Sequence, residues 1–364
     1  MSLNLPVSAQ DLTPALLTSL LSVRHPAVAV EAVEVLQAKS YGEEMVSTSA
    51  RALLRLHYRA GTPRGLPSRV IVKMSRGVDT IMAPFYRNEV AFYQNIRDEL
   101  SIEAPLALGA AYDPESLRFA LVLEDLTARG ARFPNVTQPV ALADVEGLID
   151  TQAALHAAFW ESPRFRGDLA SVETHLHGGV ARLMNELAPA YIQHEIDNVA
   201  FKREIVQRLR TTGPELLAGV QALQRHQSRL PQTLLHGDSH LGNTYLLSEH
   251  RGGLLDWQLC VRGHCLHDVS YLLATSLPIE SRRQHERNLL TRYLERLSEH
   301  GVRPPPSFDV TWREYRRAMI WGVYIGWLTT PVVNYGWEIN VVNHLRLMTA
   351  YEDLDTASLI AELG

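Results

Sequence analysis

Cysteine is scarce: the 364 residues hold two, Cys260 and Cys265. A secreted chain braced by disulfides would carry more, so a reducing compartment is expected. No second cysteine pair completes a four-ligand zinc site either. An excess of charge of one sign is also missing. Thirty-five Lys and Arg face 40 Asp and Glu, for a net charge of −5 with His neutral. No segment gathers the basic residues, so no nucleic-acid partner is expected. Long hydrophobic runs are absent as well. Leu16 to Leu21 is short and has no basic leader or cleavage site. Ala318 to Val333 is interrupted by Gly, Thr, Tyr and Pro and falls short of a membrane span. The expectation is a soluble cytoplasmic protein with no membrane partner. Nothing in the sequence fixes an oligomeric state.

What is present reads as α+β. Thr13, as N-cap, and Pro14, at the first helical position, open a helix over residues 11–24. Extended segments are expected at 29–36, 49–58 and 69–74, then a helix over 85–99 and a strand over 117–123. Past Glu124 the pattern turns helical: 144–160, 172–187, 190–211 and 215–228, then 267–276, 282–299, 310–329 and 339–362. A strand-rich patch at 233–257 interrupts these helices. The order predicts a strand-rich lobe over 1–127 and a helical lobe over 128–364, not a doubly wound sheet.

The strongest chemical signal is His236-Gly237-Asp238-Ser239-His240-Leu241-Gly242-Asn243, followed by Leu254-Leu255-Asp256-Trp257. Phosphoryl transfer needs a base for the acceptor hydroxyl and hard oxygen ligands for Mg²⁺. Asp238, Asn243 and Asp256 supply that set. The Asp-x₄-Asn spacing matches the catalytic loop of kinases. The same segment also spells His-x-Asp-x-His, which can ligate Zn²⁺, so a metal-dependent hydrolase built on His236, Asp238 and His240 is a competing reading.

Residues 234–273 resemble the aminoglycoside phosphotransferase and choline kinase-like superfamily, in its bacterial ecdysteroid kinase-like branch. The shared residues are the His-Gly-Asp loop with Asn243, then Asp256-Trp257-Gln258, Arg262-Gly263 and Asp268-Val269-Ser270-Tyr271. The resemblance implies a protein kinase-like two-lobed fold and an ATP- and Mg²⁺-dependent kinase of a small hydroxyl compound, such as an alcohol, amino alcohol or sugar-like metabolite. It implies Asp238 as base, Asn243 and Asp256 as metal ligands, and His236 and Asp268 as supports of the loop. Val70-Ile71-Val72-Lys73 is similar to the kinase strand whose lysine meets the α- and β-phosphates. Glu89, on the next helix, is implied as its partner. Leu121-Val122-Leu123-Glu124-Asp125-Leu126 resembles the hinge, with Glu124 and Leu126 meeting the adenine edge. Leu155-His156-Ala157-Ala158-Phe159-Trp160 resembles a helix common in the superfamily.

One part departs from that pattern. The phosphate-covering loop is expected at 41–49, where Gly42 is the one glycine and Glu43 and Glu44 add negative charge. Glycine is the residue that lets backbone approach phosphate closely. That depletion leaves a nucleotide-binding pseudokinase or regulatory module as an alternative, which the intact Asp238, Asn243 and Asp256 oppose. An antibiotic phosphotransferase is a narrower version of the kinase, but the late acidic residues Glu314, Glu338, Glu352 and Asp353 are scattered. The aromatics between Trp312 and Trp337 admit two readings, a packed core at helical spacing or a cation-binding pocket. His175 and His177 lie close together with no neighbouring cluster.

Overall fold

The computed structural model describes residues 4–39, 49–77 and 80–364. Its chain divides into two compact units, residues 1–100 with 104–131, and 101–103 with 132–364. The sequence places the boundary after residue 127, within a single turn over Leu126–Arg129 that starts where Asp125 accepts from Thr127 N–H. Gly130, in the left-handed region at φ 75°, closes that turn. Residues 101–103 go with the second unit, where Leu254 N–H donates to the Glu103 carbonyl at 3.0 Å.

The first unit is one antiparallel sheet in the order β1-β2-β3-β5-β4. Its strands are β1 (Val30–Lys39), β2 (Ala50–Tyr58), β3 (Arg69–Met74), β4 (Ala107–Asp113) and β5 (Arg118–Glu124). Helix α1 (Pro14–Ser22) begins at the Thr13 cap and covers one face. Leu17, Leu20 and Leu21 bury there with Leu54, Val70, Val72, Ala120 and Val122. Helix α2 (Ala83–Asn95) packs on β4 and β5. Alternation along a strand sends neighbouring residues to opposite faces. Phe119 and Leu121 therefore point away from the α1 core, and Phe119 stacks on Tyr86 of α2 at 4.5 Å. Strand β4 was not expected. Its Ala-Leu-Gly-Ala-Ala run has little β-branching, and pairing with β5 decides its conformation.

The second unit is mainly helical: α3 (Leu142–Ala158), α4 (Gly179–Arg182), α5 (Ala188–Asn198), α6 (Ala200–Arg208), α7 (Gly213–Gln227), α8 (Leu266–Ser276), α9 (Ile279–Glu299), α10 (Phe308–Trp321), α11 (Val332–Tyr335), α12 (Trp337–Asp353) and α13 (Thr356–Ala361). Helix α3 packs on α9, and α8 on α10. Two short antiparallel pairs interrupt them: β6 (Thr233–Leu235) with β9 (Val261–Gly263), and β7 (Thr244–Leu246) with β8 (Gly252–Leu254).

Three expected helices are broken. Residues 172–178 form a turn in which Thr174 Oγ1 accepts from the N–H groups of Leu176 and His177, so the first starts late. Val199, at φ −108° and ψ 107°, separates α5 from α6. Asp355, at φ 49°, separates α12 from α13. The stretch after α10 stays helical but winds wider, as a π turn over Gly322–Trp327. A Cβ on Gly326 would sit 2.5 Å from the Tyr271 hydroxyl, so glycine makes room there for a side chain of α8.

Candidate active site

The catalytic-loop residues all emerge from the ends of the two short strand pairs of the second unit. Strand β6 delivers His236, Gly237 and Asp238. Gly237 has φ 83°, and a Cβ there would overlap the Leu259 carbonyl oxygen. Only glycine makes this turn at that distance. His236 is fully buried, and backbone groups take both its ring nitrogens. Nδ1 accepts from Asp238 N–H at 3.2 Å, and Nε2 donates to the Leu255 carbonyl at 3.0 Å. That arrangement fixes a neutral ring with its proton on Nε2. It leaves neither nitrogen for a metal, which removes the basis of the zinc hydrolase reading. Among the described residues, no group of three or more His, Cys, Asp or Glu side chains is arranged to hold a metal ion.

Asp238 is half-buried. Asn243 Nδ2 donates to its backbone carbonyl and to its Oδ2, both at 2.9 Å. One amide thus fixes both the chain and the carboxylate of Asp238. Asn243 Oδ1 accepts no hydrogen bond among the described residues and is a hard oxygen suited to Mg²⁺. Asp256 lies level with it for a reason of register. Thr244 pairs with Leu254 in the β7–β8 ladder, and Leu255 N–H donates to the Asn243 carbonyl at 2.9 Å. The two residues leave the same end of one hairpin. Asp256 holds φ 68° and ψ 72°, a left-handed conformation unfavourable to a residue with a side chain. An amide oxygen and a carboxylate are both hard oxygen donors and fit Mg²⁺ by donor chemistry.

Asp268 opens α8 and is wholly buried. Its Oδ2 accepts from His236 N–H at 2.7 Å and its Oδ1 from Gly237 N–H at 2.9 Å. Ser239 Oγ donates to the Asp268 carbonyl at 2.8 Å. His156 of α3 completes the ring, with Nε2 at 3.3 Å from Oδ2 and Nδ1 at 2.8 Å from the Tyr293 hydroxyl. Burial alone would raise this carboxyl. The His156 hydrogen bond and the nearby His156 and His267 outweigh it and hold the pKa at about 2. The loop is therefore tied to a buried charge. His267 Nε2 adds a bond to the Gly237 carbonyl at 3.1 Å.

Further side chains pack around the loop. His240 Nδ1 accepts from Gly242 N–H, so its Nε2 carries the proton, 4.0 Å from Asp238 Oδ2. Burial lowers its pKa, against the charges of Asp238 and Asp256, and the ring is neutral. Tyr271 and Trp327 flank His240, each at 5.8 Å between ring centroids, and Tyr335 lies 5.8 Å beyond Trp327. Burial and the Asp238 charge push the Tyr271 hydroxyl well above its ordinary pKa. The late aromatics divide accordingly. Tyr315, Trp321, Tyr324 and Trp327 are core, whereas Tyr335 and Trp337 are exposed. His156 belongs to the 155–160 segment that resembles a superfamily helix. Its partners lie 112 and 137 residues away, so no local pattern names them.

The first unit holds the remaining expected residues. Lys73 of β3 faces Leu121 across the sheet. Its Nζ lies 2.9 Å from Glu89 Oε1 and 2.7 Å from Oε2, with both side chains buried. At the end of β5, the Glu124 carboxylate accepts from Leu106 N–H at 2.9 Å. Leu126 begins the Leu126–Arg129 turn, where a first N–H has no partner within the turn. Gly42, with Glu43 and Glu44, lies outside the described residues.

The ecdysteroid kinase-like family profile matches residues 42–302. No curated protein matches the chain. Among solved structures, the GDP complex of aminoglycoside 2'-phosphotransferase-IIIa is similar at 10% identity, covering 93% of this chain and 99% of its own, with TM-score 0.51. The GDP and kanamycin complex of APH(2")-IIia is 12% identical over 93% and 98%, also with TM-score 0.51. Choline kinase LicA from Streptococcus pneumoniae is 14% identical over 93% and 98%, with TM-score 0.47. At such identities the two phosphotransferase complexes establish the fold, the two-lobed α+β architecture expected from the sequence. The profile covers well over half of the chain, which therefore belongs to the ecdysteroid kinase-like family, a family of small-molecule kinases.

Proposed function

We propose that the protein transfers the γ-phosphoryl group of ATP to a hydroxyl of a small molecule, with Asp238 as the base. The observation that carries this reading is the Asp238–Asn243 clasp: a half-buried carboxylate whose backbone and side chain are both fixed by one amide. Asp238 accepts the proton as the acceptor oxygen attacks phosphorus and ADP leaves. Asn243 and Asp256 would hold Mg²⁺, which when bound neutralises charge on the phosphate oxygens. Asp268 and His156 keep the loop in place through the His236 and Gly237 N–H groups. Lys73, oriented by Glu89, meets the α- and β-phosphates, and Glu124 and Leu126 meet the adenine edge. Gly42 belongs to the phosphate-covering loop in this scheme.

Nucleotide comes first in the test. ATP and GTP, each with and without Mg²⁺, should be titrated against the melting temperature, since the two phosphotransferase structures were solved with GDP. A Mg²⁺-dependent shift with ATP is expected, and the absence of any shift at millimolar nucleotide would sink the kinase reading. Turnover against a panel of alcohols and amino alcohols follows. Asp238→Asn should lower acceptor-dependent turnover by about 10²- to 10⁴-fold while the nucleotide shift persists. Equal turnover by the variant would remove Asp238 as base.

A further inference from the structure

We propose that a second pocket of the C-terminal unit, at the Gly263 end of the β6–β9 pair, binds a small oxyanion, a carboxylate or a phosphate, through Arg262, Gln224, Gln227 and His264. The pocket has a volume of about 220 Å³. It is a different place from the catalytic loop. Strand β6 hands the chain to Asp238 at its Leu235 end, whereas the pocket lies where Thr233 pairs with Gly263.

Its walls carry polar groups that the protein itself does not satisfy. Gln224 is 5% exposed, and among the described residues neither its amide oxygen nor its amide nitrogen has a partner. The Gln227 amide nitrogen and His264 Nδ1 are in the same position, on side chains 5% and 4% exposed. Buried polar groups in native proteins are almost always hydrogen-bonded. Three such side chains converging on one cavity form the lining of a binding site rather than of a core. Burial pushes the His264 pKa down to about 3, so this ring is neutral and can accept or donate.

The charge on the lining selects the ligand. Arg262 is its one fixed charge, and among the described residues no carboxylate pairs with it. Its guanidinium instead lies 5.5 Å from the Phe165 ring, while the backbone N–H of Arg262 donates to the Glu173 carbonyl at 2.8 Å. Glu161 and Glu173, on neighbouring segments, accept from the backbone N–H groups of Gln232 and Val180. No Asp or Glu lines the pocket. A preset guanidinium fork beside amide donors matches an oxyanion. The volume equals roughly seven waters at about 30 Å³ each, enough for a small carboxylate or phosphate ester and too little for a nucleotide.

The full-length protein tests this directly. Sodium phosphate and sodium acetate are titrated separately at constant ionic strength, with melting temperature as readout. A saturable rise with one of them supports the site and identifies the oxyanion. Arg262→Gln should weaken the apparent Kd at least tenfold and leave the shift caused by ATP and Mg²⁺ unchanged. The anion shift should also persist when nucleotide is saturating. No saturable shift with either salt at tens of millimolar would overturn the proposal. So would a shift retained by Arg262→Gln, or one abolished by nucleotide. Should Arg262→Gln fail to fold, Gln224→Leu and a wild-type crystal soaked in selenate decide the matter. Density beside Arg262 supports the site, and density only elsewhere refutes it.

Discussion

Replacing Asp268 by Asn keeps the shape of the side chain and removes its charge. The carboxylate accepts from two backbone N–H groups, at 2.7 and 2.9 Å, in the middle of the catalytic loop. An amide offers one oxygen. Its NH₂ must then face either His236 N–H or Gly237 N–H, donor against donor. An unsatisfied buried donor costs about 1–3 kcal/mol, and the surviving bond loses its charge assistance, so a loss of about 3 kcal/mol is expected. All six tryptophans lie in the second unit, and Trp257 packs edge-on against His236 at 4.7 Å. Urea unfolding followed by tryptophan fluorescence therefore reports on the unit that carries the mutation. The pH dependence gives an independent reading. With a folded pKa of about 2 against an ordinary 3.8, the wild-type carboxylate contributes about 2 kcal/mol. That contribution is fully present above pH 3.8 and is lost as pH falls through 2. The stability gap between wild type and Asp268→Asn should therefore be constant near neutrality and shrink below pH 4. A gap under about 1 kcal/mol at pH 7, or one that widens in acid, would refute the account of Asp268 as the loop's buried anchor.

Glu89→Gln leaves Lys73 buried without its carboxylate, so a loss of about 3 kcal/mol is expected, along with a weaker nucleotide-induced shift. An unchanged shift in a folded variant would separate the pair from nucleotide binding. Gly237→Ala forces a Cβ into the Leu259 carbonyl at φ 83°, which should cost about 3 kcal/mol in the same urea assay. Wild-type stability would show that the turn has slack. Lys202 is fully buried, and its Nζ bonds Glu195 at 2.7 Å and the carbonyls of Leu328 and Thr330 at 3.1 and 2.7 Å. Lys202→Met should lower stability by about 3–5 kcal/mol, and adding Glu195→Leu should restore part of it; a single variant that melts no lower than wild type contradicts both expectations.

Local patterns in the sequence located the elements better than they located their interruptions. The Thr13 cap, the β-branched run at Arg69–Met74 and the apolar spacing of α9 are local signals, and each element lies within a few residues of its expected place. Val199 and Asp355 gave no such signal, because their backbone angles follow from how flanking helices pack. The site shows the same split. Asp238, Asn243 and Asp256 were legible because a loop and a hairpin put them close in sequence. The hairpin register that brings Asn243 level with Asp256 was not. Lys73 and Glu89 could be paired only through resemblance, and the structure brings them to 2.7 Å. The contacts that His156, His240 and Tyr271 make with distant segments were not legible, because they span separations no motif records.

The π turn at Gly322–Trp327 makes chain length there as consequential as residue identity. A π turn holds one residue more than an α-helix spends on the same stretch. Deleting one of the six would let ordinary α pairing run through and keep the flanking segments in register, because the turn has one residue to spare. A one-residue deletion inside α10 has no such outlet and would rotate everything after it by roughly 100°. Trp327 would then swing away from His240, 5.8 Å from it now. Substitutions in this segment alter one wall residue at a time, whereas a one-residue deletion in α10 re-aims the whole wall beside Asp238.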